Sequence, residues 1–417
     1  MREMKDSGIE LIESIPNEWK IIKTGYLFRE NVRPSTNEDT PLSLSQVDGL
    51  IATDDMKENS LKTASYEGWK RVEIDDLVLN RFKAHLGVLF AATLSGKVSF
   101  HYGVYEKIND LVPKYFEYLY HTNPYRSILG AMSNGMTVGL QNLSNQNFYS
   151  IKSIFPPISE QAVIVDFLDE QCAEIDSLIS DIQSQIEALE EYKRSVITEA
   201  VTKGLDPDVE MRDSGIAWVG DIPAHWITHP LYFYFGERKN KNALGLETNL
   251  LSLSYGKIIR KDINSNGGLL PESFNTYNII EKDDIIIRPT DLQNDKRSLR
   301  TGIAREHGII TSAYIAMKAI KSVNPEYFHY LLHAYDVMKV FYNMGNGVRQ
   351  GLNFSEFSRL MVFEPTIEEQ NAIVAYLKEK CDEIDLAIAE KKQQIETIEE
   401  YKKSLIFEYV TGKKEVQ

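Results

Sequence analysis

The chain has 417 residues, 43 % hydrophobic and 26 % charged, with 46 Lys and Arg against 61 Asp and Glu and a formal charge of −15. That length holds two or three ordinary domains, each able to bury a core. No apolar run approaches the roughly 18 residues of a membrane span, no secretory pattern precedes Met4, and the distant Cys172 and Cys381 frame neither a disulfide scaffold nor a zinc site, so a reducing cytoplasm is expected.

The excess charge is local. Residues 156–205 carry 3 basic and 11 acidic side chains and 366–417 carry 8 and 12, whereas 1–155 (17 and 19) and 206–365 (18 and 19) are nearly neutral. A nearly neutral domain can still present a basic face to nucleic acid.

In chain order, the first element is the opening "MKDSGIELIESIPNEW" (4–19), which is answered at 211–226 by "MRDSGIAWVGDIPAHW". The two halves keep matching downstream at an offset of about two hundred residues. "LSLS" stands at 42–45 and 251–254. "EIDDLVLNR" (73–81) and "EKDDIIIRP" (281–289) each read as an Asp-Asp turn leading into a buried strand. "PKYFEYLYH" (113–121) and "PEYFHYLLH" (325–333) read as helices opened by Pro. "SNGMTVGL" (133–140) and "GNGVRQGL" (345–352) read as tight loops. "EQAVIVDFLDEQCAEID" (160–176) and "EQNAIVAYLKEKCDEID" (369–385) bring even the two cysteines to equivalent places. A repeat of this length is a duplicated domain rather than a solenoid.

Each half closes in a long acidic helix. Leu168, Cys172, Ile175, Ile179, Ile182, Ile186, Leu189, Lys193, Val196 and Ala200 alternate at spacings of four and three, the a/d seam of a coiled coil. The second seam runs through Leu377, Cys381, Ile384, Ile388, Ile395, Ile398, Leu405 and Tyr409, interrupted by Lys391 and Lys402. Lys193 and Lys402 occupy matching seam positions, where a polar residue snorkels or fixes the register.

Catalytic patterns are not found in the sequence. Gly96-Lys97 and Gly256-Lys257 lack the upstream glycine of a phosphate loop. The Glu-x-Lys triplets at Glu191–Lys193, Glu237–Lys239 and Glu400–Lys402 have no upstream Asp partner, and no His or Cys spacing suits a metal. Polar, basic and aromatic residues gather instead in equivalent loops. The first half supplies Arg81, Lys83 and His85, then Ser99 and His101, and Asn134. The second supplies Arg288, Gln293, Asn294, Lys296, Arg297 and Arg300, then Ser312 and Tyr314, and Asn346, Arg349 and Gln350. Arg, Asn and Gln can each make paired hydrogen bonds to base edges, and Lys or Ser anchors phosphates, so these loops are either solvated or DNA-reading.

The paired "M-[KR]-D-S-G-I…IP…W" openings, the "EQ" before each long helix and the segment "DLQNDKRSLRTG…GIITSAY" resemble the specificity subunits of type I restriction–modification systems. The resemblance implies an α+β fold in which two tandem α/β target-recognition domains are separated by two long helices paired as an antiparallel coiled coil, with pseudo-twofold symmetry. The expected boundaries are 1–157 and 205–365 for the recognition domains and 158–204 and 366–412 for the spacer helices. It further implies a non-catalytic subunit without a metal or cofactor of its own. Each recognition domain would read one half of a bipartite double-stranded DNA target. The helices would set the gap and dock two modification subunits, which bring S-adenosylmethionine. Restriction and translocase subunits would bring ATP and Mg. The alternatives on the residues alone are a coiled-coil scaffold, or a DNA-modifying enzyme in its own right. Neither half is net basic, which leaves part of the DNA clamp to the partners.

Overall fold

A computed structural model describes residues 2–46, 48–56, 66–133, 142–263, 271, 273–290, 299–344 and 351–416, excepting the side chains of 342 and 343. The chain forms two compact units, Met1–Ile182 with Lys392–Gln417, and Gln183–Lys391. Each unit therefore takes part of both long helices, and the stretches expected to stand apart as spacers also contribute to the cores of the units.

In the first unit a four-stranded antiparallel sheet is built from β1 (Phe28–Glu30), β2 (Leu77–Asn80), β3 (Leu89–Ala91) and β4 (Tyr102–Lys107), in the order β1-β4-β2-β3. The second unit repeats it with β5 (Phe235–Glu237), β6 (Ile285–Ile287), β7 (Thr301–Ile303) and β8 (Ile315–Ala319), in the order β5-β8-β6-β7. The helices are α1 (Pro113–His121), α2 (Asn123–Ala131), α3 (Asn145–Ser150), α4 (Ile158–Lys203), α5 (Pro325–Val337), α6 (Phe354–Phe357) and α7 (Ile367–Val410). As expected, α1 and α5 open on Pro, whose missing N–H costs nothing in a first turn.

The repeated motifs have local physical causes. In "DSGI" the Asp6 carboxylate accepts the Gly8 N–H at 2.9 Å and the Ser7 hydroxyl accepts the Ile9 N–H at 3.0 Å, with Gly8 at a φ of 63°. Asp213, Ser214, Gly215 and Ile216 repeat the turn, with the same two distances. In the Asp-Asp turns the first Asp (Asp75, Asp283) takes the left-handed backbone that Asp tolerates. The second (Asp76, Asp284) is buried, accepts the N–H of Glu73 or Glu281 at 2.8 Å, and pairs with Arg33 or Arg238. Burial pushes both carboxyls up, and the guanidinium beside each only partly offsets it.

The "EQ" motif fastens each long helix to its sheet domain. Glu160 accepts the Trp19 indole N–H at 3.1 Å, and Glu369 accepts that of Trp226 at 3.3 Å. Gln161 accepts the Val112 N–H and donates to the Pro156 carbonyl, both ahead of helices. Gln370 does the same with Asn324 and Pro365. Both tryptophans are buried in their unit's core.

The heptad seams hold. All ten positions from Leu168 to Ala200 are buried or half-buried, and so are the eight of the second seam. In the first unit α4 and α7 run antiparallel, with Phe167 against Tyr409 at 4.5 Å and Lys402 Nζ 2.6 Å from Asp176. In the second unit Lys193 Nζ lies 2.6 Å from Asp385 and Lys391 donates to Gln185 at 2.5 Å, again antiparallel. The two seam lysines thus meet the same acidic partner position in each unit, which fixes the register. Cys172 and Cys381 are free and buried. Among the described residues no helix is long and apolar enough to cross a membrane.

Candidate nucleic-acid interface

Strand register brings the candidate loops of each unit to one end of its sheet. Asn80 of β2 pairs with Tyr102 of β4, so Arg81 leaves the sheet beside His101. Ile287 pairs with Ile315, so Arg288 leaves beside Tyr314. The shared end is where strands stop and loops carrying Arg, Lys, His and Ser begin.

In the first unit the loop after β2 is tightly braced. Asn80 Oδ1 accepts the N–H groups of Phe82 and Lys83 at 3.2 and 3.3 Å. Gly87, at a φ of 73°, closes the loop, and Arg126 of α2 grips it from below by donating Nε to the Leu86 carbonyl at 3.0 Å. A Cβ at Gly87 would stand 2.6 Å from that Nε, so both conformation and space require glycine. Lys83 points to solvent and His85 is half-buried. In the next loop Ser99 accepts the His101 N–H at 3.4 Å, and His101 is exposed. The two loops touch through rings: His101 lies 5.7 Å from Phe82 and 4.0 Å from Phe100.

Arg81 behaves differently from its neighbours. Its Nη2 donates to Glu30 at 2.7 Å and to Asn145 at 2.8 Å, inside a network that also holds Lys70 on Glu30 and the Tyr105 hydroxyl on Asn145. Burial works to raise the Glu30 carboxyl, but hydrogen bonds from Lys70 and Asn145 and the nearby Arg81 charge hold it below the usual range. Arg81 is therefore engaged in bracing the loop end of the sheet.

In the second unit Arg300 is 0 % exposed. Its backbone N–H donates to Asp336 Oδ2 at 2.8 Å, its Nη1 donates to the Thr290 carbonyl at 2.6 Å, and its Nε lies 3.8 Å from Asp336 Oδ1. This corrects the reading of Arg300 as a DNA contact. Its guanidinium faces inward and ties Thr290 to the start of β7, joining the two ends of the 291–298 segment. Arg288 is half-buried, its N–H donating to the Arg300 carbonyl at 2.9 Å. Ser312 is exposed, and Tyr314 packs with Ile258 against a small apolar cluster. Asn134, Gln293, Asn294, Lys296, Arg297, Asn346, Arg349 and Gln350 lie outside the described residues.

Sequence reading missed the supports. Glu30, Arg126 and Asp336 sit in unrelated parts of the chain, and no local spacing joins them to the loops they hold. Phe82 and Phe100 stand in the same loops as the candidate residues but carry no hydrogen-bonding group, and it is the structure that shows both exposed. Among the described residues no group of three His, Cys, Asp or Glu side chains could hold a metal.

Known proteins similar to the chain agree on one family. Residues 17–188 match the model of the Type I restriction modification DNA specificity domain. Over 431 residues the chain is 24 % identical to a chain assigned as the type I restriction enzyme MjaX specificity subunit of Methanocaldococcus jannaschii, covering 96 % of this chain and 95 % of that one. It is 25 % identical over 304 residues to the type I restriction enzyme MjaVIII specificity subunit of the same archaeon, covering 69 % and 67 %. A solved structure from work on complex assembly and conformational transition of the type I R-M system superimposes with a TM-score of 0.70 at 13 % identity, over 95 % of this chain and 99 % of that one, a likeness of fold.

Proposed function

We propose, from the premise that this chain belongs to the specificity subunits of type I restriction–modification systems, that its two units read the two unlike halves of a bipartite DNA target. The family supplies DNA sequence recognition to a larger complex and is non-catalytic. One observation carries the finer reading. The same sheet order, built twice, sends loops off the same end each time, and the side chains on those loops differ between the copies. A common scaffold with unlike loops is what reading two different half-sites requires.

In the first unit Lys83, His85, Ser99 and His101 would meet DNA. In the second, Arg288, Ser312 and Tyr314 would do so, together with the polar 291–298 and 345–350 segments. The acidic long helices are repelled by phosphates and would face protein. Val163, Leu178, Tyr192, Leu386 and Tyr401 expose apolar surface along them, suited to docking two modification subunits. Those subunits would bring S-adenosylmethionine, and restriction and translocase subunits ATP and Mg, in the cytoplasm where the chromosome lies. The lengths of α4 and α7 would set the gap between half-sites.

Mapping methylated adenines in cells carrying the complete system tests this. The expected result is one motif of two unequal halves separated by a fixed unspecified gap. A single contiguous motif, or methylation without sequence preference, overturns it.

A further inference from the structure

From residue 77 to residue 105 the chain contains no Asp or Glu, although it holds 61 of them in 417 residues. That stretch includes β2, β3, the start of β4 and both candidate loops, and it carries Arg81, Lys83, His85, Lys97 and His101. At its loop end Phe82 is 39 % and Phe100 53 % exposed, and both rings contact the exposed His101. Large apolar rings on a stretch of chain that carries Arg, Lys and His and no acidic residue of its own match one partner: a polyanion that also offers flat apolar faces, which is the base stack of DNA. A protein partner would need the apolar surface but not the absence of acid.

We infer that Phe82 and Phe100, joined through His101, form an aromatic wedge that enters the base stack of the half-site read by the first unit. The inference rests on the proposed reading of DNA by this unit and adds how the duplex is deformed. Apolar side chains inserted between base steps unstack them and gain stacking on the ring in exchange. Insertion works only if the wedge is held in place, and here it is. Asn80 fixes the backbone of Phe82, Arg126 grips the far side of the same loop, and Ser99 holds the His101 N–H. At the equivalent places the second unit has Thr290, Ser312 and Ala313, so the wedge belongs to one half-site only.

The test uses the chain assembled with its modification subunits and a duplex carrying the mapped motif. 2-Aminopurine replaces each purine of the first half-site in turn. The wedge predicts a rise in fluorescence at one step on binding. The double variant F82A/F100A should abolish the rise and weaken binding about tenfold or more, with unchanged thermal unfolding because both rings are exposed. K83A should keep the rise while weakening binding alike to all sequences and lowering its salt dependence. Sequence-specific binding with no rise at any step, or a double variant equal to wild type, overturns the wedge while leaving the proposed function standing. An assembled complex that does not distinguish the motif from a scrambled duplex overturns both.

Discussion

Glu117 and His329 occupy the same position in the two units, on helices that both open on Pro and both carry a histidine four residues later. In the first unit the buried Glu117 accepts the Ala91 N–H at 2.8 Å and pairs with Lys114. In the second, His329 is half-buried beside His333. Elsewhere the copies agree closely. Tyr115 and Tyr327 each donate to a carbonyl at the end of a long helix, Val410 at 2.8 Å and Val201 at 3.2 Å. The Trp–Glu contacts, the buried Arg–Asp pairs and the seam lysines are duplicated as well. The comparison separates two kinds of residue. Those joining sheet to long helix are repeated, whereas between sheet and loop end Glu30 keeps its counterpart Glu237 but Lys70, Arg81 and Asn145 have been replaced by Asn278, Pro289 and Phe354. Glu30 with Lys70, Arg81 and Asn145 braces the loop end of one unit, and Arg300 with Asp336 braces that of the other.

The sharpest break in this comparison is Asp336→Ala. It removes the carboxylate facing a wholly buried guanidinium, at a cost of about 3–5 kcal/mol, and the first unit has Val88 where the second has Arg300. Amide exchange measured along the chain should speed up in β7 and α5 and stay unchanged in β3 and α1. The apolar double variant R300M/D336L should recover much of the loss, since replacing both members of a buried pair is often nearly neutral. Equal exchange changes in both units would show that the pair does not brace the second unit alone.

A smaller difference concerns acid. Burial lowers His329 to about 3 and His333 to about 4, and it also lowers His121 of the first unit to about 4. A histidine with a depressed folded pKa leaves stability intact above the unfolded value of about 6.5 and removes it as pH falls towards the folded pKa, by about 1.4 kcal/mol per pH unit for each group. The second unit has two such groups and the first has one. Burial raises Glu117, so this carboxyl takes up its proton more readily in the folded state and loses stability as pH rises, the opposite sign. Between pH 6.5 and 5 the second unit should therefore lose stability with about twice the slope of the first. Denaturant titrations followed by exchange in each unit would read it, and equal slopes would contradict it. H329Q should bring the slopes together.

Much of this was legible in the sequence. The Pro-opened helices and the seam from Leu168 to Ala200 express local rules of three or four residues, and the duplication follows from motifs that recur about two hundred residues apart. The family resemblance rested on those same motifs. The placement of site residues was less legible. Arg81 and Arg300 have the side chain that reads guanine, and composition cannot tell an arginine facing DNA from one facing a buried carboxylate on another element. Glu30 lies 51 residues before Arg81 and Asp336 lies 36 after Arg300, so each pairing appears only once the sheet is formed. Phe82 and Phe100 lie in loops singled out for their basic and aromatic character, and only the structure shows that both rings stand exposed.

The central claim is that two copies of one scaffold read two half-sites independently. It is tested most directly by replacing residues 205–365 with the matching segment of a type I specificity subunit of known motif and mapping the methylated adenines in cells carrying the chimera. The account predicts that one half of the motif is exchanged for the donor's while the other half and the gap are retained, because the first unit's loops and both long helices are untouched. A motif changed in both halves, or left unchanged, would contradict it.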